Sequence, residues 1–454
     1  MRGATWVALG CIWLATTAAR GQPRDDKEYE AEGRVEYEDE DEPVEGTTAA
    51  ELIARIEALE LRLQQQEESR RAGGPRLRLT GYADLGVFVV QGDGSGTRRD
   101  VGNAIFPEEA GFGWVFYGDL LAPTVNSRGE VADLGDLPGV TRFDSIDSNG
   151  AASFLVNELN LTFNAGLSPS ALFTASVNFV PRTGKDFALG DFLDVDLAQL
   201  EWLPTGDPIL SVMVGKVESV IGIEYKQRKA NQRFGITPTL IARYTTGSAL
   251  GVKARLKLFG ERLIIAGAAT NGSFGTEQFH FYSEIDSNDA KTASGRVAGR
   301  VGLGGLTVEV GGSGSIGQQD GAGNGADNMW FAGVDVEVTH PFFEVRGQFL
   351  KGKAPGDAVS RSYALDLNFG GYLEAVARIG GTLGVLVRGE IRDARVWQDT
   401  ERLYLTKSWR AVVGARLTLG PHVVVKLEAL HNGEYGGVPS IPNSLVTSSL
   451  VVSY

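Results

Sequence analysis

The sequence predicts an all-β protein, a transmembrane antiparallel β-barrel. Three observations support this prediction. Apolar and polar residues alternate over stretches long enough to cross a bilayer, the joins between stretches are either short or long, and the chain ends in an alternating segment with a terminal tyrosine. The hydrophobic content of 43% fits such a barrel, because every second strand residue faces away from the lipid.

The alternation is clearest in a few stretches, each about 9–13 residues long. Apolar residues occupy every second position in them, which is the signature of a β-strand. A tilted strand needs about 9–11 residues to span a bilayer. Past the N-terminus, no apolar run approaches the roughly 20 residues of a transmembrane helix. The stretches contain residues 159–165, 250–258, 383–391 and 423–429.

The joins between the predicted strands fall into two classes. Short joins favour tight turns at one end of a barrel, and long polar joins favour loops at the other end. The 60 glycines of the chain suit such turns. We expect the long segment 119–151 to fold into the barrel. The short joins are 167–170, 259–261, 304–305, 340–341, 370–371, 380–381 and 420–421, and the long ones are 92–107, 119–151, 226–239, 272–295 and 314–328.

The N-terminal region predicts two segments that precede the barrel. Residues 1–21 predict a signal peptide, because Arg2 is followed by an apolar stretch and then by small residues. Residues 22–46 carry most of the net charge of −14, and their mutual repulsion predicts a disordered segment. The single cysteine, Cys11, lies in the predicted signal peptide, so the mature chain would contain no thiol.

Residues 47–72 predict a short α-helical coiled coil, because four apolar residues form an a/d seam. Two to three heptads are too short to associate strongly alone. We therefore interpret this segment as an oligomerisation helix on the periplasmic side, with a lone amphipathic helix as the alternative. The barrel would occupy residues 76–454. The seam residues are Leu52, Ile56, Leu59 and Leu63.

The last strand supplies a signal of its own. Leu450, Val452 and the C-terminal Tyr454 lie on one face of the predicted strand. A terminal aromatic residue that closes an alternating strand looks like the signal by which the barrel-assembly machinery recognises its clients. Together with the signal peptide, it predicts the outer membrane of a Gram-negative bacterium, with the N-terminal segment in the periplasm and outer-membrane lipid around the barrel.

Two stretches also carry a family resemblance. The first runs DLAQLEW (196–202), VGK (214–216), GIEY (222–225), RFGITP (233–238) and RYT (243–245), and the second runs ATNGS (269–273), an acidic stretch (284–289) and GR (295–296). This order resembles the trimeric porin superfamily that includes the phosphate- and polyphosphate-selective porins, from about residue 155 to the end. The resemblance implies a barrel of about 16 strands, in a range of roughly 14–18, a homotrimer and a central pore. None of the family's binding residues is carried over.

The inward-facing charges would set the selectivity of a pore. Bases outnumber acids at the inward positions although the whole chain is acidic, and this excess favours anions. Alternatively, the arginines pair with acids on neighbouring strands, as Arg388 would with Glu390. The predicted pore-lining bases are Lys253, Arg255, Lys257, Arg296, Arg300, Arg346, Arg388, Arg392, Arg416 and Lys426, and the inward acids are Glu158, Asp194, Asp196, Glu344, Glu390 and Glu428. The predicted pore-mouth bases are Lys226, Arg228, Lys229 and Arg233.

We expect a porin that gives passive diffusion to small hydrophilic solutes, with a preference for phosphate-like anions. The alternative is a structural barrel that the N-terminal acidic and coiled-coil segments tether to the periplasmic layer. Catalysis is not expected, because no serine and histidine share a recognisable context. The four histidines are not spaced as metal ligands. No metal, no cofactor and no nucleic-acid partner is expected.

Overall fold

A computed structural model of the chain contains a closed antiparallel barrel of 16 strands, which confirms the predicted fold class. The structure describes residues 76–90, 152–179, 193–274, 290–318, 328–354, 363–398, 401–436 and 444–454. The predicted signal peptide, acidic segment, coiled-coil helix and inward-folding segment 119–151 lie outside the described residues. The chain divides into two compact units, and the barrel belongs to the second one, Ser69–Tyr454.

Each strand pairs with its neighbours in sequence, and β1 pairs with β16 to close the sheet. Two short helices lie between β5 and β6, a 3₁₀ helix at Glu224–Gln227 and helix α1 at Ala242–Thr245. No helix in the described ranges has the length and apolar character to span a membrane. The strands are β1 Arg76–Val90, β2 Ser153–Ser168, β3 Ala171–Phe179, β4 Leu193–Trp202, β5 Leu210–Glu218, β6 Ser248–Leu258, β7 Leu263–Thr270, β8 Thr292–Leu303, β9 Leu306–Gly317, β10 Met329–His340, β11 Phe343–Ala354, β12 Tyr363–Ile379, β13 Leu383–Gln398, β14 Glu401–Leu419, β15 Val423–Glu434 and β16 Leu445–Ser453.

The barrel closes at the seam between β1 and β16. The register runs from Tyr82 opposite Ser453 to Val90 opposite Leu445. Beyond it, the N–H of Tyr454 donates to the carbonyl of Gly81 at 3.1 Å, and the N–H of Gly81 donates back at 3.3 Å. A Cβ on Gly81 would collide with the Tyr454 ring, so this position requires glycine. Closure leaves no strand edge unpaired, as a structure in hydrocarbon requires.

The outer face of the barrel is apolar. Val297, Val334 and Val387 expose more than half of their surface there, while the alternate residues of the same strands face inward. Aromatic side chains flank this apolar face at the end with the short turns, as in the interfacial girdles of membrane barrels. These aromatic residues are Trp202, Phe259, Phe342 and Tyr454.

Two predictions about the joins were wrong. Residues 370–371, predicted to be a turn, lie inside β12. A Cβ on Gly370 would collide with Ile241, and one on Gly371 would lie 2.8 Å from the carbonyl oxygen of Gln348. These glycines therefore serve close packing rather than chain reversal. The join predicted at 226–239 is longer and lies elsewhere than expected: residues 219–247, hereafter the inner loop, enter the barrel, as their contacts below demonstrate.

We expect Val387→Arg to destabilise the barrel by about 2–4 kcal/mol, the cost of a basic residue on the lipid face near the bilayer midplane. Val387 lies between the exposed residues Leu383 and Ile391 on β13. Urea unfolding in lipid vesicles measures the change. Val387→Leu is the matched control and should unfold like the wild type, and equal midpoints for both variants would contradict a lipid-facing position.

Candidate functional site

The inner face of the barrel carries the predicted pore-lining bases. Several of them alternate with exposed residues along their strand, as Lys253 does between Val252 and Ala254. The same face holds the predicted acids whose side chains are described, among them Asp196, Glu344, Glu390 and Glu428. The structure therefore brings bases and acids together on one surface.

Most of the inward arginines pair with acids on their own or neighbouring strands, which supports the alternative interpretation of these charges. Arg296 binds Asp335 and lies 2.9 Å from Glu309. Glu309 also accepts a 2.7 Å bond from Arg300. Arg346 binds Glu374, which lies 3.1 Å from Arg388. The excess of bases in the sequence is thus largely neutralised within the wall.

The first half of the inner loop contacts one side of the barrel. The N–H of Ile223 donates to Gln348 on β11 at 3.1 Å. The ammonium of Lys226 binds Glu309 on β9 at 3.0 Å and Glu337 on β10 at 3.2 Å. The loop lies inside the barrel, because β9–β11 are far around the sheet from β5 and β6, the strands from which it arises.

The loop then crosses to the opposite wall. Arg228 pairs with Asp196 on β4 at 2.6 Å. The ammonium of Lys229 donates to Thr162 on β2 at 3.0 Å and to Ser176 on β3 at 2.8 Å. These contacts, with those on β9–β11, place a bridge of polypeptide across the lumen.

The predicted pore-mouth bases therefore lie inside the barrel, which corrects the predicted position. Lys226, Arg228 and Lys229 are bound to wall residues, and Arg233 is buried. A length of chain that looks like a polar surface loop in sequence finds charged partners within the lumen. An effect of these bases on anions stays a prediction.

Carboxyl groups accept hydrogen bonds from the second half of the loop. Glu428 on β15 accepts the N–H groups of Ile236 at 2.7 Å and Thr237 at 2.9 Å. Glu390 on β13 accepts the N–H of Leu240 at 2.6 Å. The loop's own Glu224 accepts the N–H of Thr239 at 2.9 Å and its hydroxyl at 2.5 Å. Bonds to ionised acceptors are among the stronger hydrogen bonds in proteins.

Basic side chains bind the carbonyl groups of the same half of the loop. The ammonium of Lys426 donates to the carbonyls of Ala230, Arg233 and Gly235 at 2.6–2.8 Å. Arg410 donates to the carbonyl of Pro238 at 3.3 Å. Acids thus bind N–H groups of the loop, and wall bases bind its carbonyls, in addition to the contacts made by the loop side chains.

The wall behind this half of the loop is apolar. A stripe of buried side chains runs over six neighbouring strands, β12 to β16 and β1, and Phe234 of the loop packs against it. The guanidinium of Arg416 lies over the Phe234 ring at 5.8 Å. The loop therefore shields these apolar side chains from solvent on this side of the lumen. The stripe consists of Phe88, Val376, Leu386, Val412, Leu430 and Leu445.

The structure also joins a serine and a histidine that the sequence analysis did not connect. Ser444 and His431 share a 2.9 Å hydrogen bond on the exposed face of β15. The His431 ring packs edge-on against Trp409 at 5.2 Å rather than against a carboxylate. In the described part of the chain, no cluster of His, Cys, Asp or Glu side chains is arranged to hold a metal ion.

The fold is similar to that of solved outer-membrane channels. The channel DcaP of Acinetobacter baumannii matches with a TM-score of 0.50 at 11% identity, over 84% of this chain and 98% of that chain. OmpF of Salmonella typhi, in complex with daunomycin, matches with a TM-score of 0.50 at 9% identity, over 84% and 98%. The sequence matches no protein-family model and no curated protein. The narrower resemblance to phosphate-selective porins stays a prediction.

We expect the contribution of Glu224 to the free energy of unfolding to become less favourable as the pH rises. Burial raises the pKa of this carboxyl group, so its charged form is disfavoured in the folded chain. A raised pKa contributes stability at low pH that is lost as the pH rises through the folded value. The glutamine of Glu224→Gln stays neutral at every pH. This variant should therefore gain stability relative to the wild type as the pH rises from the ordinary glutamate pKa to the raised pKa of folded Glu224. Urea unfolding in detergent across this range measures the difference.

Glu261→Gln is the control with the opposite sign. The hydrogen bond from Lys257 lowers the pKa of Glu261, which lies in an exposed turn. Its charged form adds stability above the unfolded pKa, and this contribution is lost as the pH falls. A stability difference for Glu224→Gln that stays constant over pH would contradict the buried, seated position of Glu224.

Proposed function

We propose that this chain, which has the 16-stranded fold of bacterial outer-membrane porins, forms a passive channel for small hydrophilic solutes. One observation carries the proposal: an apolar outer face encloses an inner face of charged side chains. On β4, β6, β8 and β10 that inner face keeps partly exposed charges, as at Glu201, Arg255, Arg300 and Glu337. A sealed apolar interior would not require them. The route for solutes follows these strands, away from the apolar stripe.

The exposure of the ion pairs supports a preference for anions. In three lumenal pairs the base is the more exposed partner: Lys226 at 31% with Glu309 at 2%, Arg255 at 37% with Glu201 at 22%, and Arg378 at 35% with Glu344 at 11%. Water in the lumen therefore meets more cationic than anionic surface. A passing anion gains from the resulting positive potential.

We also propose that the chain is a homotrimer whose helix 47–72 assists assembly, and that its last strand is read by the barrel-assembly machinery. Leu450, Val452 and Tyr454 support the second part, because all three are exposed on the outer face of β16. There they are accessible to a partner that binds the edge of an open sheet.

The purified protein should conduct ions in planar bilayers, and Arg255→Gln should lower its ratio of anion to cation permeability by roughly a factor of two at 0.1 M salt. The effect should shrink at 1 M salt, where the screening length falls to about 3 Å. Reversal potentials in a potassium chloride gradient measure the ratio. Arg262→Gln, an exposed turn residue, is the matched control. Absence of conductance would favour the alternative of a tethered structural barrel.

Tyr454→Ser should reduce the amount of protein assembled in the outer membrane, while the yield of refolding into detergent stays near that of the wild type. The reason is that assembly in the cell would require recognition of the terminal residue, whereas refolding requires only the strand pairing. Immunoblots of membrane fractions and heat-modifiable gel migration measure the two quantities. Equal losses in both assays would assign Tyr454 a purely structural role.

A further inference from the structure

The five-residue segment 236–240 is bound through every backbone N–H group that it has. Pro238 has none, and the other four bind Glu428, Glu224 and Glu390. Arg388 adds a 2.7 Å bond to the hydroxyl of Thr237. The segment has no strand or helix of its own, so wall side chains replace the secondary structure that normally satisfies a backbone.

Two residues of one strand supply many of the hydrogen bonds to the loop backbone. Lys426 and Glu428 lie two positions apart on the inner face of β15, and together they bind the loop backbone at Ala230, Arg233, Gly235, Ile236 and Thr237. The loop approaches β15 so closely that a Cβ on Gly235 would collide with Glu428. Hereafter Lys426 and Glu428 are called the latch.

The first half of the loop is held by other contacts. Lys226 and Lys229 bind β9, β10, β2 and β3, none of which carries the latch. Removal of the latch therefore loosens residues 230–237, while the first half of the loop stays bound and Glu390, Glu224 and Arg410 still hold residues 238–240. Release would also uncover the apolar stripe behind Phe234, and the cost of wetting that stripe favours the seated position.

We propose that residues 233–241 are a gate, that Lys426 and Glu428 are the positioning residues that hold it shut, and that its release opens the half of the lumen in front of β12–β16. This inference rests on the proposed channel function. Two properties make the gate switch-like. Loss of Glu428 removes the acceptor of the N–H groups of Ile236 and Thr237, and loss of Lys426 removes a donor to three loop carbonyls.

The test combines thiol labelling with single-channel recording on the full chain. The side chain of Ile236 is buried and apolar, so a cysteine at this position reports exposure of the segment. The bond from residue 236 to Glu428 comes from the backbone N–H, which Ile236→Cys retains. Cys11→Ser removes the chain's single native cysteine. A charged methanethiosulfonate reagent is added to this background alone and to Glu428→Gln, Lys426→Met and the control Glu261→Gln.

We expect Glu428→Gln and Lys426→Met to raise the labelling rate at position 236 at least about tenfold, and to add a conductance level larger than that of the wild type. Glu261→Gln makes the same chemical change in a turn outside the inner loop and should leave the labelling rate at position 236 unchanged. Heat-modifiable migration verifies that each variant is a folded barrel. Because Lys426→Met alters a different group, it tests the gate even where Glu428→Gln fails to fold.

The outcomes separate the gate from the channel. Wild-type labelling rates and conductance levels in folded latch variants overturn the gate and leave the channel standing. Fast labelling without any current in any variant means that the segment is released but no passage exists, so the channel function fails. Fast labelling with the larger level supports both.

Discussion

Backbone N–H and carbonyl groups must be paired wherever water cannot reach them. This requirement shapes both the wall of the barrel and the loop inside it. In the wall, it forces the strands into a closed sheet, sealed where Gly81 and Tyr454 exchange hydrogen bonds. In the lumen, it applies to the inner loop, which has little regular structure. There the requirement is met by acidic and basic side chains of the wall, Glu390, Lys426 and Glu428, which bind the loop backbone directly.

The wall was predictable from the sequence because its physics is local. A strand that faces lipid on one side must place apolar residues at every second position, so Leu159 and Leu161, or Leu383 and Val387, disclose their orientation without knowledge of their neighbours. The tight turns follow from glycine and proline, as at Gly380 and Gly420, whose φ angles are positive. The inward register follows from the alternation, whereas the strand number was implied by the family resemblance.

The interior was not predictable in the same way, because its contacts join distant parts of the chain. Glu428 and Thr237 are 191 positions apart, and neither has a neighbour in sequence that discloses the pairing. The inner loop resembles a polar surface loop by composition, so its bases were assigned to the pore mouth. The sequence predicts a turn at Gly370, because glycine is common in turns. The contact that requires glycine there is with Ile241, which is remote in sequence. One signal was present: Ile236, Leu240 and Ile241 are unusually apolar for a solvated loop.

Ala230 shows how the lumen and the seam depend on one another. Its N–H reaches the hydroxyl of Tyr82 on β1 at 3.4 Å, and its carbonyl accepts from Lys426 on β15 at 2.6 Å. These two strands are the neighbours of β16 in the barrel. Ala230 therefore binds both strands that pair with β16, the strand that closes the barrel on β1. Insertion of the loop thereby adds side-chain contacts to both strands between which the barrel closes.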